Sequence, residues 1–527
     1  MHILMVAAEN GAIAGAKVGG MADVLRDVPR ALAALGHTVT VVMPAYGVFH
    51  RSTKSRRLAE VSVGFAGASE SVELFALPPI GAGRRVRRIL FEHPLFALCG
   101  AGAIYCDDPP GRPFESDARK FALFCAAVGV ALMEEKLGTP EVLHLHDWHA
   151  ATLAVLARRH PDFRALDARR FVLTIHNLAM QGVRPLFGHH SSLLHWFPAI
   201  AVNAELLDTR YPNCYNPMRA AIMLCDRVHV VSPTYAEEIC AENSPASEGL
   251  HAELLAAREE GRLLGILNGC EYPKRLPKPL SHRVFLSLAR RELRRWIGQT
   301  PWLRSAHALA LDNIDLHLST DTPSPRRKIT FVGRLTQQKF GLLAAPMEDG
   351  RPAIAHILDR LGTGEQLIVL GSGHKDIEQM LTQLQGEDEK LLFLCGFSEA
   401  LSAQLYAAGD LFLMPSLFEP CGIAQMLAMR SGQPCVVNRT GGLADTVRDE
   451  VDGFVFDGGG AGQSVETGVA AGAAAMLVRT EAALECLREQ PERYGAVREA
   501  ARTVRFPWDR AAEAYLKLLY AESGSSA

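Results

Sequence analysis

Ile329-Thr-Phe-Val332-Gly333-Arg334-Leu-Thr-Gln-Gln-Lys339 is a short apolar, β-branched run that breaks at a glycine and passes into a basic turn. The chain has opened in the same way once already, with Ile3-Leu-Met-Val-Ala7 leading to Gly15-Ala-Lys17-Val-Gly19-Gly20-Met-Ala-Asp23. After Ile3–Ala7, buried strands are predicted at Thr38–Met43, Val142–Leu145, Phe171–Ile175 and Val228–Val231. Helical spacing falls between them at Ala22–Leu35, Arg119–Lys136 and Ala150–Arg159. After Ile329–Val332 the same alternation gives strands at Gln366–Leu370, Leu391–Leu394, Leu411–Met414 and Cys435–Val437. Strands too apolar to face water, separated by amphipathic helices, predict parallel sheets covered on both sides. Two such series predict two Rossmann-like, doubly wound α/β domains facing a cleft. Sheets of this kind bind ligands beyond the carboxyl ends of their strands.

Between the series, Pro273–Arg327 is rich in Pro, Arg and Lys and holds one predicted helix, Val284–Ile297; Leu318–Pro325 and the glycine-rich Gly458–Gly462 are predicted loops. The expected domains are 1–260, 261–505 and a terminal helix and tail, 506–527, with the main boundary near 255–270.

The chain has 527 residues, 48% hydrophobic and 21% charged, which excludes a disordered or fibrous protein. A formal charge of -3 removes the broad attraction on which non-specific nucleic-acid binding rests, so no nucleic-acid partner is expected. No apolar run approaches the roughly 20 residues of a membrane-spanning helix, so no membrane is expected either. Eleven scattered cysteines without a CxxC pair suit reduced thiols in a cytoplasm better than a disulfide framework.

Five groups can carry chemistry. The glycines of Gly15–Asp23 allow close backbone approach, and Lys17 adds a point charge beside a helix N-terminus; the spacing is neither Walker A nor GxGxxG. His144-Leu-His146-Asp147-Trp148-His149 and Thr174-Ile-His176-Asn177 stand at strand ends. The three histidines lack Cys or Glu ligands at helical spacing, so no metal is expected there. Arg334 and Lys339 on one strand-to-helix connection suit a diphosphate. The last group is Pro415-Ser-Leu-Phe-Glu419-Pro420-Cys421-Gly422-Ile-Ala-Gln425, followed by Arg439-Thr440-Gly441-Gly442-Leu443-Ala444-Asp445-Thr446. It puts a carboxylate at a strand-to-helix junction with backbone N–H groups behind it.

In this order and spacing the chain resembles the bacterial glycogen synthase and plant starch synthase family over nearly its whole length. The matching segments are Lys17–Val24, His146–Ala150, His176–Gly182, Val231–Ile239, Gly265–Glu271, Gly333–Lys339, Phe418–Gln425 and Arg439–Val447, closed by Phe506-Pro-Trp508 with Tyr515 and Tyr520. The resemblance implies the GT-B fold with a last helix crossing back to the first domain. It implies a retaining transfer of glucose from ADP-glucose to the non-reducing end of an α-1,4-glucan such as glycogen or maltodextrin. It implies no cofactor and no metal.

By the same resemblance, Lys17, Arg334 and Lys339 hold the diphosphate, and Gly19 and Gly20 make room for it. Cys421, Gly422 and Asn268 line the donor. Glu419 stabilises the oxocarbenium charge or holds the glucose 3- and 4-hydroxyls, and His176 meets the 6-hydroxyl. Asp147, Asn177 and Asn268 support sugar and acceptor, with Glu9 towards the acceptor.

Some positions depart from the family pattern. Phe340 stands where a glycine follows the lysine, predicting added bulk or a one-residue shift. His374 replaces an acid near the nucleotide, Cys270-Glu271 replaces Ile-Asp, Met180 replaces Tyr, and Ala424 stands for Thr. They leave open a related GT-B enzyme using UDP-glucose or a small sugar acceptor, or a catalytically degenerate glucan-binding protein.

Overall fold

The structure is a computed structural model that describes residues 1–527 except 53, 80–84, 243, 300–301, 320–326, 459–464 and 522–527. The chain packs as two compact units: Met1–Gly269, completed by the terminal segment from Pro507, and Cys270–Phe506.

The sheet of the first unit contains β1 (His2–Val6), β2 (Thr38–Pro44), β3 (Arg56–Phe65), β4 (Ala68–Ala76), β5 (Val86–Glu92), β6 (Val142–His146) and β7 (Arg170–Ile175). A separate two-stranded pair, β8 (Arg184–Pro185) and β9 (Cys214–Tyr215), precedes its last members, β10 (Arg227–Val230) and β11 (Leu263–Gly265). The order is β11-β10-β7-β6-β1-β2-β5-β4-β3. β1 lies parallel to both β2 and β6, with Ile3 opposite Val39 and Val142. The order therefore reverses at β1, and a ligand crevice is expected where β1 and β6 end side by side.

The β3–β4 pair corrects the all-parallel expectation. It is an antiparallel hairpin on the sheet edge, turned by Ala66 and Gly67, both at positive φ (53° and 78°), as a two-residue turn requires. Val61, Val63 and Phe65 face inward while their neighbours stay exposed, so this strand reads as alternation and not as a buried run.

The second unit holds β12 (Arg327–Val332), β13 (Glu365–Gly371), β14 (Leu391–Cys395), β15 (Leu411–Met414), β16 (Cys435–Asn438) and β17 (Gly453–Phe456), all parallel, in the order β14-β13-β12-β15-β16-β17. Its reversal falls at β12 and β15, with Ile329 opposite Leu411. A helix at Ser305–Ser319 was not expected from the sequence and takes in Leu318, the first residue of the predicted loop; most of that loop, 320–325, lies outside the described residues. Of Gly458–Gly462, residues 459–462 also lie outside them.

The terminal segment is helical over Trp508–Ala514 and continues as a wider turn over Tyr515–Leu519. Trp508, Tyr515, Leu519 and Tyr520 are buried in the core of the first unit. Gly269 has no room for a side chain there, since a Cβ would stand 2.7 Å from the Trp508 ring.

Two of the eleven cysteines depart from the reduced-thiol expectation. Cys99 and Cys106 form a disulfide, their Cα atoms 5.6 Å apart. The loop between them folds back through Gly100 and Gly102, at φ of 112° and 82°. No described helix is long and apolar enough to cross a membrane.

Candidate functional site

In the first unit, the loop after β1 is organised by Glu9. Its buried carboxylate accepts hydrogen bonds from the Val18 and Gly19 N–H groups, both at 2.7 Å, and from the Tyr105 hydroxyl at 2.6 Å. Glu9 thus pins the glycine loop that carries Lys17. The Lys17 amine reaches both Asp23 oxygens at 2.8 Å, and Arg26 also contacts Asp23 at 3.0 Å. Asp23 aims the lysine by pairing across the first turn of the helix Gly20–Ala34. A Cβ on Gly20 would meet nothing within 4 Å, so the loop leaves open space at that helix start.

β6 and β7 deliver the histidines and Asp147. Asp147 has φ 56°, a left-handed conformation costly for a non-glycine residue. Its carboxylate accepts from the His176 N–H at 2.7 Å and also from the Asn177 N–H, which fixes the turn after β7. Burial pushes the Asp147 carboxyl up to about 7, against those two N–H bonds, with a small push from the Glu9 charge. The His176 ring meets His146 at 3.0 Å, and the rings of His144, His146 and His176 stack in a row.

A second hydrogen-bonded chain runs from this row across the sheet. The His229 Nε2–H donates to the Ile266 carbonyl, so its Nδ1 accepts from the Thr174 hydroxyl at 2.8 Å. Thr174 must then accept from His144 Nε2 at 2.6 Å, and His144 Nδ1 accepts from the Tyr520 hydroxyl at 2.6 Å. The direction of every bond follows from neutral rings.

Burial holds His149 and His176 down at about 3 and His229 at about 4, and it holds His144 and His146 well below the usual imidazole range. Unfolded, these rings take up protons below about 6.5. Their contribution to stability is complete above that pH and is lost as pH falls towards 3–4. Asp147 acts in the opposite sense, its contribution lost as pH rises through about 7. Five imidazoles outweigh one carboxyl, so calorimetry should record a falling Tm on acidification below about 6.5. A Tm that stays flat or rises over that window would mean the interior rings are charged.

The candidate site of the second unit stands at the β12–β15 reversal. The Lys339 amine lies 2.6 Å from Glu419 Oε2, and the Ser416 hydroxyl donates to the same oxygen at 3.0 Å. Glu419 and Ser416 are both buried. The helix Gln337–Ala344 grips the Glu419 loop by its backbone: Gln338 donates to the Phe418 carbonyl, and its own carbonyl accepts from Leu417 N–H. Gly442 N–H donates to the Glu419 carbonyl at 3.0 Å. Gly441 must be glycine, because its φ is 41° and a Cβ there would stand 2.0 Å from the Glu419 oxygen.

Arg334 is exposed, and its guanidinium makes no ion pair or hydrogen bond with a described residue. Cys421 is buried, and Gly422 takes φ 76°.

Phe340 adds no bulk to the turn. Its ring is fully buried against Phe331, 5.0 Å between centroids, while Gly341 follows with a Cβ position 2.9 Å from Leu417. His374 is exposed as the N-cap of the helix Lys375–Glu387. Asn268 lies in the first unit, where its N–H donates to the Val231 carbonyl at 3.3 Å, and its buried side-chain oxygen has no partner among the described residues. Glu115, His189 and His190 are the described residues whose donor atoms come close enough for a metal, within 4.8 Å. Arg112 already stands 3.4 Å from the Glu115 carboxylate.

Asp23, Tyr105 and Ser416 were not singled out from the sequence. Asp23 closes the Gly15–Asp23 segment, and its spacing of six from Lys17 is a local signal; Tyr105 pairs with Glu9 across 96 residues and leaves none.

Comparison with known proteins adds independent findings. Residues 2–256 match the starch synthase catalytic domain family, and residues 326–470 match glycosyl transferases group 1. The chain is 33% identical over 468 residues to glycogen synthase of Gloeobacter violaceus, covering 87% of this chain and 88% of that one. It is 32% identical over 534 residues to glycogen synthase of Streptococcus agalactiae, covering 98% and 99%. The catalytic domain of starch synthase IV from Arabidopsis thaliana, solved with ADP and acarbose, matches with a TM-score of 0.74 at 25% identity, over 98% of each chain. Sucrose-phosphate synthase of Thermosynechococcus elongatus, at 16% identity and a TM-score of 0.53, shares the fold alone, over 99% of this chain and 100% of that one.

Proposed function

Because the chain belongs to the glycogen and starch synthase family of GT-B glycosyltransferases, we propose that it transfers glucose from ADP-glucose to the non-reducing end of an α-1,4-glucan, with retention at the anomeric carbon. The observation that carries the proposal is the state of the charged set. Lys17 is aimed by Asp23, Arg334 is exposed with no ion pair among the described residues, and Glu419 is held between Lys339 and Ser416, each at the strand-order reversal of its own unit.

In this reading the three cations neutralise the leaving diphosphate, so the reaction needs no metal and no cofactor. Arg334 offers a two-pronged guanidinium, and Lys17 and Lys339 are point charges. Glu419 faces the positive charge that develops at the sugar carbon or holds the glucose hydroxyls. His176, neutral and backed by His146, offers one ring nitrogen to the sugar. The departing phosphate takes the acceptor proton, so the chain has no dedicated base. Cys421 and Gly422 line the donor, while Asp147, Asn177 and Asn268 serve the sugar and acceptor side. Glu9 acts by holding the glycine loop. A cytoplasmic setting is part of the same reading.

UDP-glucose is the second donor reading, and the observation that favours it is His374, exposed at the helix cap where relatives' pattern has an acid.

The test is nucleotide release from ADP-glucose and UDP-glucose, with glycogen, maltotriose or no acceptor, in metal-free buffer. Glycogen-dependent ADP release with label entering the glucan is the expected result. UDP release in its place would reassign the donor. Glycogen binding without transfer from either nucleotide sugar would overturn the enzyme reading in favour of a degenerate binding protein.

A further inference from the structure

We propose that Cys99–Cys106 is a thiol–disulfide exchange site that takes a dithiol reductant and sets how firmly the Lys17 loop is held. The disulfide is the only pairing among the described cysteines; eight of the other nine are buried and Cys214 is half-buried. Cys99, by contrast, is exposed, so an attacking thiolate reaches its sulfur without unfolding the unit.

The leaving side is prepared as well. The Lys120 amine lies 3.9 Å from Cys106 Sγ, and Asp117 accepts the Cys106 N–H at 3.2 Å. The ammonium form of Lys120 beside the departing sulfur favours its thiolate, partly offset by the Asp117 carboxylate paired with it. Lys120 is itself buried, fixed by Asp117 at 2.7 Å and by the Ile104 carbonyl at 2.6 Å.

The exchange balances as follows. One thiolate of the dithiol attacks Cys99 Sγ, forming a mixed disulfide, and Cys106 leaves with the bonding pair. The second thiol of the reductant then attacks the mixed disulfide and releases Cys99. The dithiol becomes a disulfide, its two protons pass to Cys99 and Cys106, and two electrons have entered the protein. The reverse reaction uses the oxidised form of the same reagent.

Residue 105 connects this chemistry to the site. Tyr105 is bonded covalently to Cys106, and its hydroxyl gives the 2.6 Å hydrogen bond to Glu9. The other Glu9 oxygen holds Val18 and Gly19, the residues directly after Lys17. The loop has a second tie, since Gly102 N–H donates to the Tyr46 carbonyl while the Tyr46 hydroxyl donates to the Ala8 carbonyl, next to Glu9. Opening the disulfide removes the cross-link that closes the loop on which Tyr105 sits, leaving that loop to its ties at Gly102, at the Ile104 carbonyl and at the Cys106 N–H. The consequence for turnover rests on the transfer reading above; the exchange chemistry and the loosening do not.

The test uses the whole protein, oxidised and then treated with dithiothreitol, with thiol alkylation and peptide mass as the first readout. Cys99 and Cys106 should be unlabelled before reduction and the first pair to label after it. Hydrogen exchange at the Val18 and Gly19 amides should rise about tenfold on reduction, the effect of weakening a charge-assisted hydrogen bond. The double variant Cys99→Ser/Cys106→Ser should show the faster exchange in both conditions. Tyr105→Phe in the oxidised protein should show it without any change in thiol state. Free Cys99 and Cys106 in the oxidised protein, or amide exchange at Val18 and Gly19 indifferent to dithiothreitol, would overturn the proposal. If neither form transfers glucose, the transfer reading fails, and the labelling and exchange data still decide this one.

Discussion

Glu419→Gln should reduce kcat for glucosyl transfer by about 10²–10³-fold or more while the protein remains folded. The amide keeps the shape of the carboxylate and can still meet the Ser416 hydroxyl, so the loop held by Gln338 and Gly442 has no reason to rearrange. What disappears is a negative charge in a buried position, and charges fixed where the transition state develops its own are worth most. Lys339 loses its ionic partner in the same step, which lowers Tm modestly because the amine is only partly exposed. Steady-state assays with ADP release as readout, beside thermal melts, check both halves. A Gln variant within about threefold of the native kcat would remove Glu419 from the chemistry.

The second large effect is expected at the cations. Lys17→Ala should cost about 2–4 kcal/mol of transition-state stabilisation, roughly 30- to 1000-fold in kcat/KM for the donor. Asp23, its partner, keeps Arg26 at 3.0 Å, so no carboxylate is left without a cation and the melt should hardly move. Lys339→Ala should lose similar rate and also lower Tm, because among the described residues the Glu419 carboxylate then keeps only the Ser416 hydroxyl. The contrast between the two variants is the informative measurement. Equal losses in Tm would show that Lys17 serves the fold and not the phosphate. A Lys17→Ala protein that changes only the glucan KM would move the residue to the acceptor.

Most of the parallel strands were legible because their burial on both faces leaves unbroken apolar runs, as in Leu391–Cys395 and Leu411–Met414, whereas β5, which opens Val86-Arg-Arg, and the three-residue β11 were not. The edge hairpin was not, since Arg56–Phe65 keeps one face wet and begins with two arginines. The short β17 and the helix Val465–Glu489 were hidden by the glycines around them. Candidate site residues were legible as motifs, because glycines and charges at strand ends are chemically conspicuous. Their supports were not. That Glu9 holds a backbone loop, that Asp147 sits at positive φ, and that Ser416 braces Glu419 depend on loops brought together by strand order. Cys99 and Cys106 likewise pair only because two glycines turn the loop between them.

The return of Pro507–Tyr520 to the first unit has a consequence for how the protein is made. The place filled by Trp508, Tyr515 and Tyr520 is prepared by residues up to Gly269, yet all of Cys270–Phe506 is synthesised in between. At roughly 5–20 residues per second, that interval lasts on the order of 10–50 s on the ribosome. Throughout it His144 lacks its Tyr520 hydroxyl and an apolar seat stays open to water or to a chaperone. The second unit, contiguous in the chain, can finish first. The unit that emerges from the ribosome earliest is therefore the last to close.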